Sequence, residues 1–188
     1  MLRLSFRQKA LITLAALGVG AAFSLLWGGA PLAVLFVLLA FDKIILGMGG
    51  ILRKIGIEFT TILTIFIGVM YGPVFAFFYT LLIIPVFHAI KFFFIPMQPD
   101  WPLFVPAPYN FADAIGAALA AFMKDFFIGY IMFFVVIEKI VVYALADRLM
   151  FGKPVDIFGA VTYFVFNMAI ALPAAGFLTG ITGAPVIL

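Results

Sequence analysis

Six ionisable or amide side chains fall inside or beside long apolar stretches of this sequence, where burying a polar group is costly. They are Glu58, His88, Lys124, Asp125, Glu138 and Asn167. An ionisable group at membrane depth is a candidate for ligand binding or ion transfer, because its burial must be offset by a partner. Internal pairing with each other or with another charge is the alternative for Lys124 and Asp125, and a structural role is favoured for His88.

Enzymatic chemistry is not indicated by the residue types present. The single histidine has no nucleophile motif such as Gly-x-Ser-x-Gly to serve, and the eight acidic residues are too scattered for a metal centre. No Walker or dinucleotide motif occurs, so ATP-driven work would require another subunit. Cysteine is absent, which excludes disulfides and thiolate sites. We therefore expect a protein that is not an enzyme and that needs neither cofactor nor metal.

The composition defines the elements that must position these side chains. Of the 188 residues, 67% are hydrophobic and 10% are charged, and the mean hydropathy is +1.32. Soluble domains carry about 25% charged residues, which they need to solvate a surface. The sequence predicts an all-α polytopic membrane bundle of about six transmembrane helices, with residues 1–188 forming a single transmembrane domain. The net charge of +3 does not suggest nucleic-acid binding.

Glycine and proline divide the chain into apolar segments. Breaks are expected at Gly28–Pro31, at Tyr71-Gly72-Pro73 and in a proline-rich loop at 95–110. Residues 111–148 contain no such break, yet as one helix they would measure about 57 Å, nearly twice a membrane core. That segment either extends into water or breaks near Lys124-Asp125 or Gly129. The predicted spans are 9–27, 31–46, 57–71, 74–94, one or two within 111–148, and 157–178.

The N-terminal segment carries two further signals. Arg3, Arg7 and Lys9 predict a cytoplasmic N-terminus by the positive-inside bias. A signal peptide is the alternative, but the apolar run leads directly into a second one, which favours a retained helix. The helix has a face of small residues that permits close approach of another helix, within this chain or in a partner subunit. These residues are Ala15, Ala16, Gly18, Gly20 and Ala22.

Polar residues near two helix ends have local explanations. Asn110 and Asp113 are typical of a capping pair for a helix beginning at Phe111. Asp42 and Lys43 point about 100° apart on a helix, so they do not face each other. We expect them to lie near an interface or to be buried in the bundle.

Residues 56–91 resemble the substrate-binding S components of energy-coupling-factor (ECF) vitamin transporters. The resemblance is carried by Gly-Ile-Glu-Phe-Thr-Thr at 56–61, an apolar run with Gly68, and Tyr71-Gly72-Pro73 leading into another span. The small-residue face at 15–22 is similar to the helix that contacts the coupling subunit in that family. The resemblance implies a six-helix bundle that binds a vitamin-like molecule and depends on a transmembrane coupling subunit and ATPase subunits. The rod-shape membrane proteins of bacterial wall assembly share a similar bundle without such transport.

The function expected from these observations is therefore a multi-pass cell-membrane subunit that binds a small molecule between its helices. The alternative is a non-catalytic scaffold whose small-residue and aromatic faces hold a larger membrane complex together. Aromatic faces would stack on a ring and the charges would fix its orientation. The predicted ligand-binding residues are Glu58, Trp101, Asn110, Lys124, Asp125, Tyr163 and Asn167.

Overall fold

The computed structural model describes residues 5–48, 57–95, 101–102 and 105–188, and these parts of the chain are helical apart from turns and one isolated bridge. Within these described parts, four helical segments are long and apolar enough to cross a membrane: Phe6–Leu46, Pro73–Phe94, Ile128–Leu149 and Ile157–Thr182. The helices are α1 (Phe6–Ala40, continuing as a π-helix over Phe41–Leu46), α2 (Thr60–Tyr71), α3 (Pro73–Phe94), α4 (Pro108–Phe122), α5 (Ile128–Leu149) and α6 (Ile157–Thr182).

The break predicted at Gly28–Pro31 lies inside α1. Gly29 has φ +70° and ψ −169°, a conformation that essentially only glycine adopts, and Pro31 follows it. Gly20 lies against the ring of Phe36, although the two would be about 24 Å apart along a straight helix. The two halves of α1 therefore fold back on each other as a helical hairpin.

The connections between helices gather at two ends of the bundle. Phe6 contacts Phe94 with ring centroids 6.1 Å apart, and the ring of Tyr109 stacks on Phe151 at 5.7 Å. His88 on α3, Tyr109 on α4 and Asp156 before α6 also line one cavity. The start of α1, the end of α3, the start of α4 and the α5–α6 connection therefore share one end, which we term the N-terminal end. At the opposite, far end, the Tyr71 hydroxyl donates to the Gly28 carbonyl at 2.7 Å.

Two short helices form the centre of the bundle. α2 is buried from Thr60 to Val69, and α4 buries most of its alanines. Gly68 of α2 lies directly against the backbone of Ala117 in α4, an approach that any side chain at position 68 would obstruct. At 12 and 15 residues, α2 and α4 are shorter than a full span. The longer helices pack around them.

The segment 111–148 is divided into two helices by a turn at 123–126. Lys124 and Asp125 are exposed in this turn, at the far end. α4 begins at Pro108 rather than at Phe111, and Asn110 Oδ1 accepts a bond from the Ala107 amide at 2.7 Å. The capping role predicted for Asp113 is wrong, because its carboxylate is buried among ion pairs described below.

Candidate functional site: a charged cavity at the N-terminal end

Two lysines and two carboxylates alternate in a closed set of contacts, which we term the ion-pair ring. Lys43 Nζ lies 3.2 Å from Glu58 Oε2 and 3.7 Å from Asp113 Oδ2. Lys139 Nζ lies 2.5 Å from Asp113 Oδ1 and 3.9 Å from Glu58 Oε1. The ring joins four parts of the fold. They are the π-helical end of α1, helix α4, helix α5 and the segment that precedes α2. Because two ammonium groups meet two carboxylates, the ring is formally neutral, which limits the cost of burying it.

Asp42, next to Lys43, has a separate role. Its carboxylate accepts bonds from the Phe59 amide at 2.9 Å and the Thr60 amide at 3.1 Å, and from the Thr60 hydroxyl. These amides are among those left without helical partners at the start of α2. Asp42 therefore caps α2 from another helix, and the positive end of the helix dipole favours its charge.

A hydroxyl chain extends the ring to α6. Lys139 Nζ donates to Thr61 Oγ1 at 3.0 Å, and Thr61 Oγ1 also contacts the Tyr163 hydroxyl. Asn167, one turn further along α6, donates from Nδ2 to the Tyr163 carbonyl at 2.9 Å. The buried charges and their hydroxyl partners thus connect five helices, α1, α2, α4, α5 and α6, and the segment before α2.

A cavity of about 240 Å³ lies beside the ring, at the N-terminal end. Glu58, Lys43 and Asp113 form its charged wall. Asp147 and Asp156 line it on the opposite side, where Asp156 is exposed and accepts a bond from the Gly159 amide at the start of α6. The cavity therefore reaches from the buried ring to the surface.

Three tyrosines supply the aromatic lining. The rings of Tyr109 and Tyr143 meet edge to face with centroids 5.1 Å apart, and those of Tyr143 and Tyr163 are 6.3 Å apart. The Tyr109 hydroxyl donates to Asp147 Oδ1. Neighbouring carboxylates and π faces suit a ligand that combines apolar surface with positive charge or hydrogen-bond donors.

Three of the seven residues predicted to bind ligand line this cavity: Glu58, Asn110 and Tyr163. Trp101 stands outside it, with its ring 6.1 Å from that of Phe151, which in turn stacks on Tyr109. Asn167 is buried one turn beyond Tyr163 and does not line the cavity. Lys124 and Asp125 are exposed at the opposite end of the bundle, so the structure does not bring them to the other five.

Sequence reasoning missed most of the charged wall. Lys43, Asp113 and Lys139 were not among the predicted site residues, nor were the cavity residues Tyr109, Tyr143 and Asp147. One signal was available: Lys139, Tyr143 and Asp147 follow each other at intervals of four, which places them on one face of a helix. Among the described residues, no group of three acidic, histidine or cysteine side chains is arranged to hold a metal ion.

The small-residue face of α1 divides into two sides. Gly20 packs inside the hairpin against Phe36, and Ala16 is half-buried. Ala15, Gly18 and Ala22 are exposed on the outer side. The face thus has residues for both predicted kinds of helix packing. Gly20 packs within the chain, and Ala15, Gly18 and Ala22 are exposed and open to a partner helix.

Comparisons with known proteins identify no family for this chain. No protein-family model matches the sequence, and neither characterised proteins nor solved structures give a significant match.

Proposed function

We propose that this chain is the small-molecule-binding subunit of a membrane transporter, and that it depends on a transmembrane coupling subunit and ATPase subunits to move its ligand. The observation that carries the proposal is the cavity of about 240 Å³, in which charged and aromatic side chains from five parts of the fold converge. Ligand sites are typically concave and carry a few fixed polar groups. The dependence on ATP-driven partners follows from the S-component resemblance and from the absence of a nucleotide motif in this sequence.

The contacts of the ring support a fixed rather than an adaptable site. Glu58 is held by two lysines, and Tyr163 by Thr61, so groups in the lining are oriented before a ligand arrives. Such preorganisation reduces the entropy lost on binding. The exposed residues Ala15, Gly18 and Ala22 offer a surface on which a coupling-subunit helix could pack closely.

The proposal is tested by native mass spectrometry of the protein purified in mild detergent from its membranes, together with identification of co-purifying subunits. We expect a small organic molecule at one per chain, and an ATPase among the partners. Tyr143→Ala, which removes one wall of the cavity, should abolish retention of the molecule. Lys124→Met is the matched control, because Lys124 is exposed at the far end, and it should retain the molecule fully.

A non-catalytic scaffold is the second candidate, and one observation favours it. The four charges of the ring satisfy one another, so they need no ligand to be stable. A scaffold would be purified without a small molecule and with structural membrane proteins as partners. Loss of those partners on replacing Gly18 by a large residue, with no ligand in any preparation, would replace the transporter proposal with this one.

A further inference from the structure

We infer that the ligand of this cavity is a small organic cation, an amine whose ammonium group lies between Asp147 and the tyrosine rings. The inference rests on the proposed function and assigns its ligand class. It starts from charge: four carboxylates, Glu58, Asp113, Asp147 and Asp156, line the cavity. Among the described residues, the ammonium groups within 4 Å of these carboxylates are Lys43 and Lys139. Within this set of described groups, the carboxylates exceed the ammonium groups by two.

The excess charge is located on one side of the cavity. Lys43 and Lys139 neutralise Glu58 and Asp113 within the ring. Asp147 and Asp156 form no ion pair with any described residue, and the side chains of these two residues accept hydrogen bonds from a tyrosine hydroxyl and a backbone amide, respectively. An anionic ligand would meet these two carboxylates at the entrance, which disfavours it by like-charge repulsion. A cation entering there would be attracted.

The aromatic lining favours an organic cation over a bare ion. Tyr109 and Tyr143 stand beside Asp147, and the negative face of a tyrosine ring attracts an ammonium group within about 6 Å of its centroid. No arrangement of three acidic or histidine groups for a metal ion is present in the described residues. An ammonium group needs only such a diffuse set of carboxylate and π contacts.

A buried amide identifies a second feature of the ligand. Asn110 lines the cavity with 1% of its surface exposed, and its Nδ2 group has no hydrogen-bond partner among the described residues. Its Oδ1 is already bonded to the Ala107 amide, which fixes the orientation of the side chain. An unsatisfied buried donor costs about 1–3 kcal/mol, so a ligand acceptor here would be favoured. The ligand thus combines an ammonium group with an oxygen or ring-nitrogen acceptor.

The size of the cavity suits a small amine. Its volume of about 240 Å³ is slightly below the range of about 300–1,000 Å³ that is usual for small-molecule sites, so single-ring amines are the first compounds to test.

The experiment compares one molecular skeleton in three charge states. The full chain in detergent is titrated with a set of single-ring amines including tyramine, with their neutral N-acetyl derivatives, and with the matching carboxylates such as 4-hydroxyphenylacetate. Binding is measured by calorimetry and by the ligand-dependent rise in melting temperature. We expect binders among the amines alone. Binding by the neutral or anionic members instead would overturn the cation assignment and leave the proposed binding function standing.

Asp147→Asn is the decisive variant, because the amide oxygen still accepts the Tyr109 hydroxyl while the charge is removed. We expect affinity for the amines to fall about tenfold with an unchanged melting temperature of the free protein. Asp125→Asn makes the same chemical change at the far end and should leave affinity unaltered. Equal affinities in all three proteins would overturn the inference. If no compound binds and native mass spectrometry also finds no ligand, the inference and the proposed function both fail.

Discussion

Lys139 touches both carboxylates of the ion-pair ring and the hydroxyl of Thr61, while none of its surface is exposed. Burial of any one of these charged groups in the bundle without the others would be strongly unfavourable. Together they are neutral and their hydrogen bonds are largely directed at one another. A buried set of this kind contributes little net stability compared with apolar packing, but removal of one member leaves an uncompensated charge.

The first prediction concerns that removal. Lys139→Met should lower the free energy of unfolding by about 3–5 kcal/mol, because Asp113, only 2% exposed, loses its closest cation. Thermal unfolding in detergent, with the decrease in melting temperature as the readout, measures the change. Lys124→Met is the control, and its exposed position predicts a change within about 0.5 kcal/mol.

A double variant tests whether charge balance is the cause. Adding Asp113→Asn to Lys139→Met restores equal numbers of charges, with Lys43 and Glu58 still paired at 3.2 Å. The double variant should be more stable than Lys139→Met alone. A loss equal to the sum of the two single variants would show that packing, rather than charge balance, dominates at this site.

At the residue scale, the sequence predicted the types of side chain in the site better than it predicted which of those side chains lie together. Glu58, Asn110 and Tyr163 do lie together. Each lies at or near the start of a helix, and these three helices, α2, α4 and α6, all start at the N-terminal end of the bundle. Lys124 and Asp125 do not, since the turn at 123–126, one of the breaks that the sequence left open, places them at the opposite end. The positions of Asp113 and Lys139 depend on how α4 and α5 pack, which local sequence patterns do not encode.

Among the elements, α2 and α4 set the distance between the two sides of the cavity wall. Glu58 precedes α2 and Asp113 lies on α4, and both helices meet at Gly68 and Ala117. The absence of a side chain at Gly68 lets the two backbones approach. The distance between the carboxylates of Glu58 and Asp113 therefore depends on Gly68, which lies toward the far end of α2.

The second prediction follows from this contact. Gly68→Ala should destabilise the protein by about 1–3 kcal/mol, because its Cβ would meet the Ala117 carbonyl, which is backbone and cannot rotate away. Gly176→Ala on α6 is the matched control, since no atom lies within 4 Å of its added Cβ. Melting temperatures in detergent give the comparison, and equal values for the two variants would contradict the close packing of α2 on α4.

Helix boundaries marked by glycine and proline were predictable, whereas those without such residues were not. Gly72 has φ +82° and Pro73 opens α3, as the Tyr71-Gly72-Pro73 motif indicates. The turn at 123–126 has neither residue, so the sequence left its position open. Burial of α2 on nearly every side was also not predictable, because an apolar helix reads the same whether it faces lipid or protein.

Across the whole molecule, exposed basic residues are unevenly distributed between the ends. Arg7, Arg148 and Lys153 are exposed at the N-terminal end, while Lys124 lies at the far end. Arg3 lies outside the described residues. The positive-inside bias, which also predicts a cytoplasmic N-terminus from the sequence, predicts that this more basic end faces the cytoplasm. We therefore predict that the cavity opens to the cytoplasm, which in an uptake cycle is the side of ligand release.

The third prediction tests this topology with a chain that naturally contains no cysteine. Lys124→Cys should react with a membrane-impermeant maleimide in intact cells, whereas Lys153→Cys should react only after permeabilisation. Both positions are exposed turns or loops, so differences in reactivity report the side of the membrane. The reverse labelling pattern would place the cavity opening outside the cell.

The ion-pair ring also has a consequence for the synthesis of the protein. Its contacts join residues that are far apart in the chain. Lys139, for example, donates a hydrogen bond to Thr61, which precedes it by 78 residues. At about 5–20 residues per second, translation of this interval takes about 4–16 s. During that time Glu58 has only the first of its two lysine partners, Lys43. A product that ends after Asp113 and before Lys139 therefore carries two carboxylates of the ring against one lysine, and we expect such truncated chains to be degraded faster than the full chain.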